Sequence, residues 1–413
     1  MLNLCKYKVN IFWGCIGFVV IGVVLMDILL RVVFYLSGFV IIWAMFGYPK
    51  SLKLIGRLYK SRQLVKDYGL VPSVTVMVVA HNEEKVILEK LNNILELDYP
   101  KDRIEFLIAS DNSTDRTNEI VKDFIAGHPG VSMRLYEVLE RKGKTNAQNE
   151  AHKTVVTEFL VMTDANSIME KASVRELMAA FTSSDIAYVT GRLLYVNQAA
   201  SDVSSAEITY WYGDLATREI EGRIQTITSG NGSLYACRTI DYVDFKPIEC
   251  HDIAMPTYYA LAGRRAIANH DAIVYEKAGE VIGDEFGRKV RMNRKILQNI
   301  MPDFRILNFF KYRWFTYFYL GHRTCRYSLW ISHLLVLVSN VLLVGVSWFY
   351  VAVLVVQLLF YLMALLKVVT RTDNKVLTMV YYYLITVVAQ WVGVYRIVTG
   401  KAKPTWEKAE STR

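Results

Sequence analysis

The chain has 413 residues, 53% hydrophobic and 21% charged, with a formal net charge of +9. That mixture excludes one uniform soluble globule and fits a soluble unit joined to membrane segments. The basic excess flanks apolar runs, with Lys50, Lys53, Arg57, Lys60 and Arg62 after the first and Lys401, Lys403 and Lys408 after the last; no nucleic-acid-reading element accompanies it, so the expected partner is a lipid bilayer and not nucleic acid.

Residues 1–50 form the first unit. The run 11–47 is apolar except for Asp27 and Arg31, which stand four apart and can pair on one helix face. A single crossing takes about 20 residues, so the run reads as two short spans turning near Asp27–Arg31, or as one span with a surface helix. Its length and the lack of a small-residue cleavage site argue against a signal peptide.

From Ser73 to about Leu261 the pattern becomes strand–helix alternation. Val74–Ala80, Ile104–Ala109, Ser132–Val138 and Phe159–Thr163 read as strands; 84–96, 114–126, 144–156 and 171–182 read as helices. This predicts an α/β domain over 70–300 with a mostly parallel sheet, whose ligands sit beyond the carboxyl ends of the strands. Cys5, Cys15, Cys237, Cys250 and Cys325 make no CxxC pair and are odd in number, which argues against disulfides or structural zinc and suits a reducing cytoplasm.

The residues after each strand are the candidates for chemistry. His81-Asn82-Glu83-Glu84 follows the first strand and is equally a helix start. After the second, Asp111 can accept from a base or ribose, while Thr114 and Asp115 cap the next helix. Gly143-Lys144 at a helix start suits a diphosphate, but not in the GxxxxGK[ST] pattern of an ATPase. Asp164-Ala165-Asn166 closes the fourth strand, where a carboxylate can hold a divalent cation bridging two phosphates; the plain alternative is a strand-end turn. Gly230-Asn231-Gly232 lets a substrate approach the backbone, or is an ordinary hairpin turn. Asp252, before an apparent helix, is either a general base or a cap. Arg288 and Arg291, in a basic segment beside the membrane, face diphosphate or lipid headgroups.

Residues 304–327 mix aromatic and basic side chains at helical spacing, which predicts an interfacial amphipathic helix. Apolar runs over 329–349, 351–369 and 376–398 make 328–400 a set of transmembrane helices, followed by a basic tail over 401–413 that includes Arg413. Arg371 and Lys375 place the second loop on the cytoplasmic side. Three full crossings would then put the tail outside, so the last run, with Tyr381, Tyr382, Tyr383 and Gln390, is the candidate for an incomplete crossing.

In order, Val79-Ala80-His81-Asn82-Glu83-Glu84, Ser110-Asp111-Asn112-Ser113-Thr114-Asp115, Gly143-Lys144-Thr145-Asn146-Ala147, Thr163-Asp164-Ala165-Asn166, Ser229-Gly230-Asn231-Gly232 and His251-Asp252 resemble the family 2 glycosyltransferases, the group of hyaluronan, chitin, cellulose and poly-N-acetylglucosamine synthases. The resemblance covers roughly residues 70–295. It implies a GT-A fold, a nucleotide-sugar donor (usually a UDP-sugar), Mg²⁺ or Mn²⁺, and inversion at the anomeric carbon. It also implies roles: Asn82, Glu83 and Asp111 on the nucleoside, Lys144 on the diphosphate, Asp164 on the metal, Gly230, Asn231 and Gly232 at the acceptor, and Asp252 as base. Two departures stand out: Asn166 replaces the usual second acidic or His ligand, and Arg288-Lys289-Val290-Arg291 stands where processive synthases carry Gln-x-x-Arg-Trp. The expectation is a membrane enzyme with a cytoplasmic catalytic domain that extends a capsule-type or exported polysaccharide, or adds one sugar to a lipid-linked acceptor. A transporter or scaffold would draw on the intramembrane Asp27–Arg31 pair, yet the acidic groups gather at strand ends instead.

Overall fold

The computed structural model describes residues 2–59, 63–197, 202–279, 282–370, 372 and 374–405. Lys60, Arg62, Arg371, Lys408 and Arg413, counted above among the basic flanks, lie outside the described residues.

The N-terminal run is one continuous helical rod. Helix α1 (Leu2–Ile42) passes through a π-helical turn (Trp43–Gly47) into α2 (Tyr48–Leu58). The turn expected near Asp27–Arg31 is absent: Arg31 donates to Asp27 at 2.8 Å across one helical turn, so the pair satisfies itself without breaking the helix.

Eight strands follow in one sheet: β1 (Val74–Ala80), β2 (Ile104–Ser110), β3 (Met133–Glu137), β4 (Phe159–Asp164), β5 (Ile168–Met169), β6 (Ile186–Tyr195), β7 (Leu234–Arg238) and β8 (Arg265–Glu276). The spatial order is β3-β2-β1-β4-β7-β6-β8-β5. Four of the seven pairings among the described residues are parallel. All seven residues of β1 are buried, because side chains from both of its faces meet a layer of helices. Val74, Val76 and Val78 point into one apolar core, Met77 and Val79 into the other.

The helices are α3 (Ile87–Leu95), α4 (Thr117–Gly127), α5 (Lys144–His152), α6 (Ser173–Ala179), α7 (Asp202–Ile224), α8 (His251–Leu261), α9 (Ile282–Met292) and α10 (Ile296–Ile300). Helices α3 and α4 start three residues later than the sequence suggests. Asn82 and Asn112 take left-handed φ values of 55° and 51°, and the loops they bend fill the first predicted turn of each helix. Asp115 accepts the backbone N–H of Thr117 at 3.0 Å, as a cap does.

Register sets the working edge. Ala80 pairs with Ser110, and Val79 with Asp164, so β1, β2 and β4 end together. Strand β7 runs the other way and pairs Leu234 with Thr163, so residues 229–233 arrive at the same edge just before β7 begins.

The stretch 304–327 is not the single amphipathic helix expected. It is a 3₁₀ turn (Phe304–Leu307), two short helices α11 (Phe309–Tyr312) and α12 (Trp314–Phe318), a π-helical stretch (Tyr319–Thr324) and α13 (Cys325–Tyr327). Its aromatic residues divide: Phe304, Phe309 and Phe310 are exposed, whereas Tyr312, Phe315, Phe318 and Tyr319 are buried. Arg313, at φ 54°, breaks the helix between Tyr312 and Trp314. After it come α14 (Leu329–Leu343), α15 (Trp348–Thr370) and α16 (Lys375–Val398). Among the described residues, Ile21–Leu58, Trp348–Thr370 and Lys375–Val398 are long and apolar enough to cross a membrane. Trp314–Tyr327 with Leu329–Leu343 make a fourth candidate, bent by 63°. Of the three single helices α16 is the most buried, and it lies against the strand–helix domain: Tyr382 Oη donates to Glu285 at 3.2 Å.

Candidate active site

The strand edge gathers most of the predicted residues. Gly143 takes a left-handed φ of 99° and opens α5, so Lys144 stands in that helix's first turn. Its ammonium reaches across the cleft, donating to Asp164 Oδ1 and, at 3.0 Å, to the Gly232 carbonyl. Asp164 ends β4, and Asn166 sits half-buried in the turn that follows. Gly232 faces Asp252 so closely that a Cβ there would lie 3.4 Å from the carboxylate. Gly230 donates its N–H to the Asp252 carbonyl at 2.6 Å, and a Cβ on it would strike Tyr188 Oη at 1.9 Å, so only glycine fits. Asn231 is bound on both sides, its N–H to Thr190 Oγ1 at 2.8 Å and its Oδ1 to the Ser233 N–H at 3.1 Å. Its Nδ2 is buried with no hydrogen-bond partner among the described residues. Lys144, Asp164, Gly232 and Asp252 therefore form one contiguous surface.

The electrostatics suit acid–base work. Asp252 sits in the first turn of α8, where the N–H groups favour negative charge. Burial nonetheless raises its pKa, against the lowering pull of Lys144 and Arg218 and with a further push from Asp164. Burial alone would lower Lys144, but Asp164 and Asp252 more than offset it and keep it charged. A carboxylate shifted upward beside a fixed ammonium can take a proton from a neutral hydroxyl.

The loops that follow β1 and β2 are more tightly braced than the sequence suggests. Asp111 is fully buried and accepts the N–H groups of Lys142 at 3.2 Å and Gly143 at 2.9 Å, tying the end of β2 to the loop that opens α5. Asn82 Oδ1 accepts the N–H of Thr114 at 2.7 Å, which clips the first strand-end loop to the second. Glu83 is buried, and its N–H donates to Thr117 Oγ1 at 2.7 Å. These three residues brace the loops at the strand edge, Asp111 and Glu83 from buried positions.

The two arginines separate. Arg288 is bound to Glu285 at 2.8 and 2.9 Å. Arg291 is within electrostatic reach of Asp164 and Cys250; burial, with Arg288 and Arg294 beside it, pushes its pKa down to about 10, which leaves it charged at neutral pH. Arg294, in the same basic segment, holds the loop before Asp252 through the carbonyls of Ile248 at 2.8 Å and Glu249 at 3.0 Å.

Sequence reasoning also missed Glu276, Arg218 and Lys90. Glu276 ends β8, accepts from Ser167 Oγ just beyond the Asp164 turn, and is raised by burial and by Asp164. Its signal was a carboxylate at a strand end, on a strand the sequence had not marked. Arg218 and Lys90 lie inside helices, where nothing in a single sequence separates them from solvent-facing charges.

Among the described residues no three carboxylates, imidazoles or thiolates surround one point. A divalent cation delivered with a diphosphate needs only one or two carboxylates, because phosphate oxygens and water complete its shell. Asp164 meets that requirement: its side chain is 28% exposed to the cleft and already faces a cationic group. The residues fit a metal brought by the donor and do not form an all-protein cage.

Residues 72–294 match the family model described as glycosyltransferase like family 2. The chain belongs to that family. It is 25% identical over 249 residues to a poly-beta-1,6-N-acetyl-D-glucosamine synthase of Staphylococcus epidermidis, covering 58% of this chain and 59% of that one. It is 29% identical over 221 residues to a beta-monoglucosyldiacylglycerol synthase of Synechocystis sp., covering 51% and 46%. The matches thus span about half the length of these curated relatives. A mannosyltransferase of Pyrobaculum calidifontis, solved with GDP-Man and Mn²⁺, superposes with a TM-score of 0.66 at 21% identity, over 88% of this chain and 99% of that one. That likeness establishes the GT-A fold with its mostly parallel sheet. The motif residues of this family 2 member stand at the edge of the sheet where β1, β2 and β4 end.

Proposed function

We propose that this protein is a membrane-bound inverting glycosyltransferase that moves a sugar from a nucleotide-sugar donor, a UDP-sugar in the first instance, onto a glycan or lipid-linked hydroxyl. The observation that carries the reading is the meeting of Lys144, Asp164, Gly232 and Asp252 at one strand edge. We assign residues 70–300 as the catalytic domain facing the cytoplasm, the N-terminal rod and 328–400 as membrane segments, 304–327 as the interfacial stretch, and 401–413 as a basic tail.

Asp252 takes the proton from the acceptor hydroxyl. That oxygen attacks the anomeric carbon as the bond from that carbon to the diphosphate oxygen breaks on the opposite face. The configuration inverts, the proton ends on Asp252, and the nucleoside diphosphate leaves with the bonding electron pair. Lys144 and Arg291 supply fixed positive charge where the leaving group gathers negative charge. Asp164, with the Asn166 amide beside it, would hold Mg²⁺ or Mn²⁺ against the diphosphate, and the ion would neutralise leaving-group charge. Asp111, Asn82 and Glu83 form the nucleoside wall. Gly230, Asn231 and Gly232 present backbone to the acceptor.

Relatives named for a polysaccharide and for a glycolipid support both acceptor classes. The test is incubation of the purified full chain in detergent with a panel of nucleotide sugars and Mg²⁺ or Mn²⁺, following released nucleoside diphosphate and product size. Release with a ladder of products supports polymerisation, and release with one added sugar supports a lipid acceptor. No release with any donor would end the proposal.

A further inference from the structure

A buried polar cluster joins the membrane-entry segments to the acceptor loop. Two π-helical stretches, Trp43–Gly47 and Tyr319–Thr324, lie against each other, and such stretches are rare outside functional positions. Gly321 lets the Tyr48 ring approach: a Cβ there would lie 2.2 Å from it. Tyr48 Oη donates to Glu221 at 2.6 Å. The His322 ring is held between two carboxylates, Glu221 at 2.7 Å and Asp214 at 3.0 Å. Arg326 donates to Asp214 at 2.8 Å, and Arg323 to Thr228 Oγ1 at 3.3 Å.

Arg218 is the exit from this cluster. Its side chain is 6% exposed and paired with Asp214 at 2.5 Å, and its Nη1 donates to the Gly230 carbonyl at 2.5 Å. Gly230 in turn donates its N–H to the Asp252 carbonyl. Burial alone would raise the Asp214 pKa, but Arg218, His322 and Arg326 hold it well below the usual carboxylate range. Charges taken this far out of water are stable only while every partner stays in place, so the cluster has one arrangement and loses it as a unit.

We propose that Arg218 is a positioning residue for the transfer: it sets the acceptor loop against Asp252, and the membrane-entry segment Tyr319–Tyr327 holds it there through Asp214. The transfer role rests on the glycosyltransferase reading above; the positioning of the loop does not. The consequence is that seating of the membrane segment and alignment of the base form one equilibrium, so lipid or detergent that displaces the segment also displaces Gly230.

The test compares the wild-type chain with Arg218→Gln, Arg218→Lys and the remote His322→Gln, all full length and in the same detergent. Hydrogen exchange is followed over residues 228–233 and 250–254, which needs no donor, and kcat and donor KM are measured with whichever nucleotide sugar supports wild-type turnover. In Arg218→Gln the two segments exchange faster while β1 and β4 stay protected. In that variant kcat falls about 100-fold, as a misplaced reacting group predicts, with donor KM within about twofold of the wild-type value because the donor wall is untouched. Arg218→Lys, which keeps the charge and one donor, recovers part of both effects. His322→Gln loosens the same two segments to a smaller degree. Unchanged exchange at 228–233 in Arg218→Gln overturns the proposal whether or not any sugar is transferred. Faster exchange with unchanged kcat overturns the catalytic half alone. A wild-type chain with no turnover sinks the glycosyltransferase reading, and the exchange rates then decide loop positioning by themselves.

Discussion

The two halves of the sheet place their polar groups in different ways. In the parallel half, β3-β2-β1-β4, three candidate residues stand at or within two residues of a strand end: Asn82 past β1, Asp111 past β2, and Asp164 as the last residue of β4. In the mixed half, β7-β6-β8-β5, the working groups come from a loop, two helices and a strand end, namely Gly230, Arg218, Asp252 and Glu276. The parallel half presents charges fixed by register. The mixed half presents charges fixed by one another, and its helices α7 and α9 are the ones that touch the apolar helix α16. The first arrangement suits a donor whose diphosphate is the same in every reaction, and the second suits an acceptor that differs between relatives.

Breaking each half in turn should separate turnover from binding. The largest effect is expected at the junction: Asp252→Asn keeps shape and removes the base, so kcat should fall by about a thousandfold, within the range for a lost general base, while donor affinity measured by titration stays near wild type. Equal losses in kcat and affinity would move Asp252 out of the acceptor half. Asp164→Asn should do the reverse, weakening metal-dependent donor binding about 100-fold through loss of the one cleft carboxylate that suits a hard cation. Donor titrations with and without Mn²⁺ read this directly, and unchanged metal dependence would refute the assignment. A finer break lies between neighbours on α9. Arg291→Ala should lower kcat/KM about tenfold, since its charge reaches Asp164, and Arg288→Ala should change it less than about twofold, since Glu285 already takes that charge.

What the sequence made legible follows the same division. Strands with β-branched, doubly buried runs were found to within a residue or so, because apolar continuity and length are local signals. Residues just after those strands could be named for the same reason. Helix starts were misplaced where Asn82 and Asn112 adopt left-handed turns, which look like helix beginnings in sequence. The stretch 304–327 has one helix's composition yet is broken at Arg313 and wound as a π-helix at Tyr319–Thr324, so that His322 and Arg323 turn inward to partners a hundred residues away in sequence. Asp27 and Arg31 pair as their spacing predicts, and of the two alternatives for the run the turn beside them does not form, because the helix continues through it. Arg218 has no local mark, since its meaning comes only from residues far along the chain, and the mark of Glu276, a strand end, lies on a strand the sequence does not reveal.

Lys90 offers the subtlest break, because it serves the parallel half from behind. It is fully buried in α3, and its amine donates to Thr163 Oγ1 at 3.0 Å and to the Ser167 carbonyl, bracketing the Asp164–Asn166 turn on both sides. Burial pulls its pKa from 10.5 down to about 7, against the raising pull of Asp164 and Glu276. A neutral amine has two N–H groups, and both are used here, so the fold is matched to the uncharged form. Between about pH 7 and pH 10.5 the unfolded chain holds a proton at this lysine that the folded chain does not, so stability rises with pH through that window; below the folded value the penalty is fully present. Lys90→Met has no proton to lose. The apparent melting temperature of wild type minus that of Lys90→Met should therefore grow from pH 7 to pH 9 by roughly 4 °C. A difference that stays flat would mean the amine is charged throughout, and the Asp164 turn would then rest on a buried ammonium instead of a neutral brace.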